Sequence, residues 1–228
     1  IVLLTDAPPG VVLADDTGLG TINNDDSAVV TLSGGVSQNE GTSFVFTATL
    51  DNAVQGGFSQ AYTTNNGTAT TADSDYTDND GLLAFAGTTG ESHIITVNST
   101  TDNKVELNET FTVALGAITG APAGVTTAGS PQTGTILNDD AAVVSLAGNV
   151  SQAENLTPQV FNVNLSNPVD VNVTVQFSTS DGTATTSDND YTAVNNQVVT
   201  FTAGSTTPIP SANWTPGTKT SLEYLPGC

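Results

Sequence analysis

GTINNDD at Gly20–Asp26 returns as GTILNDD at Gly134–Asp140, 114 residues later in a chain of 228. Each copy is a short β-like run, Leu19–Ile22 or Thr133–Leu137, that ends in an Asn and two carboxylates. A repeat of this length is too long for a solenoid turn and suits a whole domain. The acidic pair stands where one domain hands over to the next.

The repetition extends outward from this motif. SAVVTL (Ser27–Leu32) matches AAVVSL (Ala141–Leu146), and VSQNE (Val36–Glu40) matches VSQAE (Val150–Glu154). NGTATTADSDYT (Asn66–Thr77) matches DGTATTSDNDYT (Asp181–Thr192), now offset by 115, and Phe85 matches Phe201 at 116. The chain therefore divides into four parts. Residues 1–26 are the C-terminal strands of a preceding repeat, 27–140 a complete repeat, 141–207 the N-terminal strands of a further one, and 208–228 a divergent tail. That tail is broken by prolines and lacks the acidic motif, so it reads as a fragment boundary. Residue 1 is Ile and the chain has no Met, which reads as a processed chain or a fragment.

Alternation marks the strands of the complete unit: Val29–Leu32, Phe44–Leu50, Ser59–Thr64, Leu82–Ala86, His93–Asn98, Phe111–Leu115 and Gly134–Leu137. Gly, Asn and Asp clusters separate them. Short strands without helical period predict an all-β chain of tandem immunoglobulin-like antiparallel β-sandwiches. Phe44, Phe46, Phe85, Phe111, Val113 and Leu115 are the expected core, with Tyr76 near the edge. In the partial repeats, Ile1–Leu4 and Leu19–Ile22 are the expected strands of residues 1–26.

Charge narrows the function. Asp and Glu total 23 against 2 Lys plus Arg, a formal net charge of −21. Such a surface opposes nucleic acid and anionic membranes. It suits cation binding or solubility in salt. The single Cys, Cys228, permits no internal disulfide, and no stretch near the start reads as a signal peptide or membrane span. Eight N-x-Ser/Thr sequons make glycans an expected partner if the host uses that chemistry.

The DGTATxxxDY signature (Asp181–Tyr191; NGTATTADSDY at Asn66–Tyr76), DNKVELNETF (Asp102–Phe111) and the terminal GTIxNDD together resemble the Calx-beta domain family over about residues 1–207. The spelling is similar to tandem copies in large bacterial surface proteins. The resemblance implies seven-stranded sandwiches, some of which bind calcium at one end. It carries over to Glu40 and Glu154 before the second strand, and to Asp102, Glu106 and Glu109 of the acidic loop. It also carries over to the terminal pairs Asp139–Asp140 and Asp25–Asp26, and to Asp181. Two departures lower the expected affinity. Asn66 replaces the acid of DGTA, and the acidic loop has Thr101 and Asp102 where the family's exchanger-type domain has a denser Asp run.

Calcium takes six to eight oxygens, several from carboxylates, and magnesium's tighter octahedron fits a loose acidic set less well. Glu40, Asp102, Glu106, Asp139 and Asp140 are expected to converge from three loops as a Ca2+ site at the domain exit, with Asp25, Asp26, Glu109, Glu154 and Asp181 as weaker candidates. Asp75 and Asp190, before Tyr, read as turn formers. His93 has no Cys or second His beside it and reads as a surface or edge residue. Trp214 lies in the tail, and no sugar platform, phosphate loop or nucleophile elbow is present, so no enzyme is expected.

These readings lead to an extracellular or cell-surface structural and adhesive array with calcium-stiffened joints. Its expected partners are neighbouring repeats, other copies and a surface or matrix ligand. Strand addition between residues 1–26 of one copy and 141–207 of the next would give a head-to-tail fibre. The alternatives are a calcium-sensing regulatory module and a non-catalytic part of a larger secreted enzyme.

Overall fold

The structure is a computed structural model that describes residues 1–151 and 159–210. Residues 1–26 carry β1 (Val2–Leu3) and β2 (Thr17–Gly18), paired antiparallel with each other. The complete repeat holds β3 (Ala28–Ser33), β4 (Ser37–Asn39), β5 (Ser43–Leu50), β6 (Phe58–Asn66), β7 (Gly81–Phe85), β8 (Ser92–Asn98), β9 (Glu109–Thr119), β10 (Val125–Ala128) and β11 (Gln132–Leu137). The third repeat holds β12 (Val144–Leu146), β13 (Asn162–Leu165), β14 (Val173–Phe177), β15 (Gln197–Phe201) and β16 (Ile209–Pro210).

The complete repeat is a sandwich of two sheets, β10-β3-β5-β8 and β4-β11-β9-β6-β7. All seven expected strands form, because each alternates an apolar face toward the other sheet. In β5 the buried positions are Phe44, Phe46, Ala48 and Leu50, every second residue. Two strands were not expected, β4 and β10, and both pair in parallel, β10 with β3 and β4 with β11. They arise because the first and last segments each change sheets part-way. The first breaks at Gly34 (φ 118°) and the last at Gly129 (φ 65°). The sandwich is thus antiparallel with a parallel pairing in each sheet.

Phe111 is the centre of the core. Phe44 and Phe46 meet it edge-on at 5.1 and 6.2 Å, and Tyr76 stacks on it at 4.8 Å. Tyr76 is 3% exposed, so it belongs to the core rather than the edge. Its hydroxyl donates to Asn66 Oδ1 at 2.6 Å, which satisfies the one polar group that burial would strand. Leu115 is only partly buried against this core. The glycine of GTILNDD has a reason in the same place. A Cβ on Gly134 would come within 2.5 Å of the Phe111 ring.

The twin motif in residues 1–26 behaves otherwise. A Cβ on Gly20 would meet nothing within 4 Å, and Ile22 is 99% exposed where its counterpart Ile136 is 5% exposed. The expected strand Leu19–Ile22 does not form, and the pairing falls on Thr17–Gly18 instead. β11 is held by β9 on one side and β4 on the other, and residues 19–22 have neither neighbour.

In the third repeat β12, β13 and β16 form one sheet and β14–β15 another. The register repeats that of the complete unit. Val163 pairs with Ile209 as Ala48 pairs with His93, and Val173 with Phe201 as Phe58 with Phe85. The eighth strand's counterpart therefore starts at Ile209, inside the segment the sequence reading placed in the divergent tail.

Gly134→Val is expected to destabilise the chain by about 1–3 kcal/mol, as overpacking does. Gly20→Val should stay within about 0.5 kcal/mol, as surface changes do. Urea unfolding of both variants checks this; equal losses would contradict the assignment of Gly134 to the Phe111 contact.

Candidate metal centre

The end of the complete repeat is organised by one pairing. β4 and β11 run parallel with Leu137 opposite Asn39, so the residues that follow them, Glu40 and Asn138–Asp140, emerge side by side. Glu40 N–H donates to Leu137 O at 3.3 Å, and Asn39 Nδ2 to Asp139 Oδ2 at 3.4 Å. The acidic loop Asp102–Glu109 is drawn to the same place by Asn138. Its Oδ1 accepts Glu106 N–H at 2.8 Å, its Nδ2 donates to Asp140 O at 2.9 Å, and its own N–H donates to Asn108 Oδ1 at 3.2 Å. The Asn of the NDD motif is thus the knot between strand end and loop. Its turn-forming chemistry was legible; this long-range role was not. In the first copy Asn24 makes the same bond to Asp26 O, at 3.2 Å.

The structure divides the expected ligands into two groups. Carboxylate oxygens of Glu40, Asp102 and Asp140 lie within 4.8 Å of one another, a group that could hold a metal ion. Glu106 and Glu109 form a second such group, with Asp75 as its third member. Asp139 joins neither triple, but its charge acts on Glu40. Among the described residues, Asp25 and Asp26 join no group of three acids. Glu154 lies outside the described residues. Asp181 has another occupation: it accepts the Tyr191 hydroxyl at 2.6 Å and Thr186 N–H at 3.0 Å. Asn66 does the same for Tyr76 and Thr71, so the first residue of the [ND]GTA signature serves to seat a tyrosine.

Asp75 and Asp190 are turn formers, accepting Thr70 N–H at 2.6 Å and Thr185 N–H at 2.9 Å. Asp75 also faces Glu106 and Glu109, a second role that its place beside Tyr76 hid from the sequence reading. His93 is committed to Glu91, with Nε2 and Oε1 3.0 Å apart, and meets the Phe85 ring edge-on at 4.6 Å. Glu91 in turn accepts the amides of Ala86, Gly87 and Thr88.

Electrostatics separate these groups. Burial first, then the charges of Asp102, Asp140, Glu106 and Asp139, raise Glu40 to about 7. Burial and the Asp75 side chain raise Glu109 to about 8. Glu106 is also raised, because burial outweighs the Lys104 ammonium beside it. Glu91 is lowered to about 2 by the Ala86 amide, the His93 ring and the remaining amides. Among the described residues no hydrogen bond reaches the Glu40 side chain, which is 9% exposed, and Asp140 Oδ2 is buried without a partner.

The pH dependence follows. With no metal, folded Glu40 keeps its proton between the ordinary value of 4.5 and about 7, where the unfolded chain releases it. Its contribution to stability is full below 4.5 and is lost as pH rises through 7, on the order of 3 kcal/mol. Glu91 has the opposite sign: its contribution is present above 4.5 and lost as pH falls toward 2. Metal-free protein should therefore melt at the highest temperature near pH 4.5–5, and Glu40→Gln should make the alkaline fall shallower, leaving the share that Glu109 and Glu106 contribute with the same sign. A parent whose melting temperature climbs between pH 5 and 7.5 in chelator would contradict this.

Comparison with known proteins agrees with the fold. The Calx-beta domain model matches the chain twice, over residues 24–142 and 138–209. No curated protein matches it. A solved structure similar to it is the apo-form Calx CBD1 domain, 25% identical, covering 50% of this chain and 100% of that one with a TM-score of 0.43. Two others are CBD12 from CALX1.2 (20% identical, 85% and 73% covered, TM-score 0.39) and the calcium binding domain CBD12 of CALX1.1 (21%, 80% and 71%, 0.37). With two copies of its model spanning most of the residues, the chain belongs to the Calx-beta domain family.

Proposed function

We propose that the chain is a calcium-binding, non-catalytic repeat module in which the ion stiffens the exit from one β-sandwich into the next. One observation carries the reading. Glu40 is 9% exposed and no donor among the described residues reaches its carboxylate, while Asp140 Oδ2 beside it is fully buried without a hydrogen-bond partner. Burying charge without a partner is costly, and a cation is the partner this arrangement lacks. The donors are all carboxylate oxygens, with no His or Cys, which suits a hard cation rather than zinc. Asp102 and Asp140 sit on separate segments, the acidic loop and the linker, so one ion joining them would tie loop to linker. Calcium's tolerance of irregular oxygen shells favours it over magnesium.

The wider setting of this proposal is an extracellular or cell-surface array with structural and adhesive work. The charge of −21 and the repetition of whole domains support it. His93 is bound into the Glu91 turn, which leaves it a structural duty.

Copy-to-copy strand addition is the second reading, and one observation favours it. Ile22 and Leu19 stay exposed, although the twin of their motif is sandwiched between β9 and β4 in the complete repeat. Residues 1–26 would then add to the third repeat of another copy. Sedimentation across a hundredfold concentration range should show species larger than monomer; a single monomeric species throughout would remove this reading.

Calcium titration by calorimetry tests the main reading. The parent should bind calcium and gain about 2.7 kcal/mol of stability at a hundredfold excess over Kd. Glu40→Gln and Asp140→Asn should each weaken binding at least about tenfold, since each removes a ligand charge. Absence of both heat and stabilisation in the parent would refute it.

A further inference from the structure

We infer that Lys104 is the latch between the complete repeat and the one after it, a positioning residue that holds Asp170 of the third repeat against the acidic loop. Lys104 Nζ lies 2.6 Å from Glu106 Oε1 and 2.9 Å from Asp170 Oδ1, so one ammonium spans the boundary. It is the only Lys or Arg among the described residues. Among the described residues of so acidic a chain, the one Lys is placed where two repeats meet.

The neighbouring residue completes the contact. Val105 N–H donates to Pro168 O, and Asp170 N–H donates to Val105 O, both at 2.9 Å, making an isolated parallel bridge between Val105 and Val169. The Val105 side chain packs on the third repeat's own core of Val163, Leu165, Val169, Val199 and Phe201. One valine and two backbone bonds can hinge; a charge pair on the adjoining residues fixes the angle about that hinge. Ion pairs with shared geometry give register more than strength.

The latch is particular to this boundary. The loop that presents Asp170 has a twin in the complete repeat, Asp51–Gln55. Asn52 Nδ2 donates to Ser27 O at 3.1 Å as Asn167 Nδ2 donates to Ala141 O at 2.7 Å, and Val54 is buried as Val169 is. The next residue differs: Gln55 in one, Asp170 in the other. The carboxylate that receives Lys104 is thus an addition to a common loop. At the boundary before the complete repeat, a lysine in the corresponding place would meet an amide.

This deepens the calcium reading by dividing the labour at the joint. The loop Asp102–Glu109 serves both parts: its Asp102 belongs to the Glu40 group, which would take the ion, and its Lys104 supplies a cation to Glu106. Docking of the third repeat then precedes calcium and does not need it.

The test uses the whole chain with Cys228→Ser and spin labels on Thr31→Cys and Thr200→Cys, both exposed strand positions in the two repeats. In chelator the distance distribution should be narrow for the parent and for Lys104→Arg. Lys104→Gln and the isosteric Asp170→Asn should each at least double its width, and the double variant should broaden it no further. A parent already broad in chelator, or a Lys104→Gln distribution as narrow as the parent's, would overturn the latch. The same samples in excess calcium keep the two readings apart. Failure to bind calcium leaves the chelator result intact, whereas failure of the latch leaves calcium heat intact.

Discussion

The parallel pairing of β4 with β11 is the interaction on which the rest depends. It is three residues long, yet it brings Glu40 beside Asp139 and Asp140. The same β11 pairs antiparallel with β9, placing Glu109 at the start of its neighbour, with Ile136 opposite. Asn138 then gathers the loop between β8 and β9. Acidic residues up to 100 positions apart thus share one end of the sandwich, and nothing among the described residues donates to the most buried of them. β-Ladders and a buried aromatic core hold together charges that would otherwise separate. Phe111 supplies the weight of that core, since it meets three other rings and covers Gly134.

Much of this was legible because it is written in alternation. A strand between two buried faces must place apolar residues at every second position, and the seven alternating runs became strands. β4 and β10 were hidden because they are short and largely exposed: SQN and VTTA carry no apolar period. Their existence comes from segments that change sheets, which is a tertiary event. Tyr76 was misplaced at the edge because a run of polar residues precedes it; the Asn66 carbonyl that accepts its hydroxyl is what lets it enter the core. Leu19–Ile22 was misplaced in the opposite sense, since a strand pattern needs a neighbouring strand to pair with.

The acidic set was readable as a list and not as an arrangement. Its residues follow from the repeated motifs, but the split into a Glu40 group and a Glu106–Glu109 group depends on side-chain directions that no spacing reveals. Asp75 joined the second group from the tyrosine loop. Asp181 went to the tyrosine instead of the acids. Lys104, hardly noticeable within DNKVELNE, acquires meaning only once the third repeat's Asp170 stands opposite it. Local periodicity carries strands, whereas electrostatic partners chosen across loops are set by the assembled fold.

The joint therefore combines two kinds of compensation. Lys104 balances Glu106 from within the chain, and in the proposed function a cation from solution would balance the Glu40 group. The central claim is that a buried Glu40 set beside the charges of Asp102 and Asp140 marks the proposed cation site, and side-chain carboxyl 13C NMR of Glu40 addresses it directly. In chelator Glu40 should titrate near 7, well above the ordinary 4.5. In saturating calcium its midpoint should fall below 4.5, because the ion replaces the proton as the partner of the carboxylate. A Glu40 that titrates near 4.5 in chelator, or whose midpoint calcium leaves unmoved, would contradict the account.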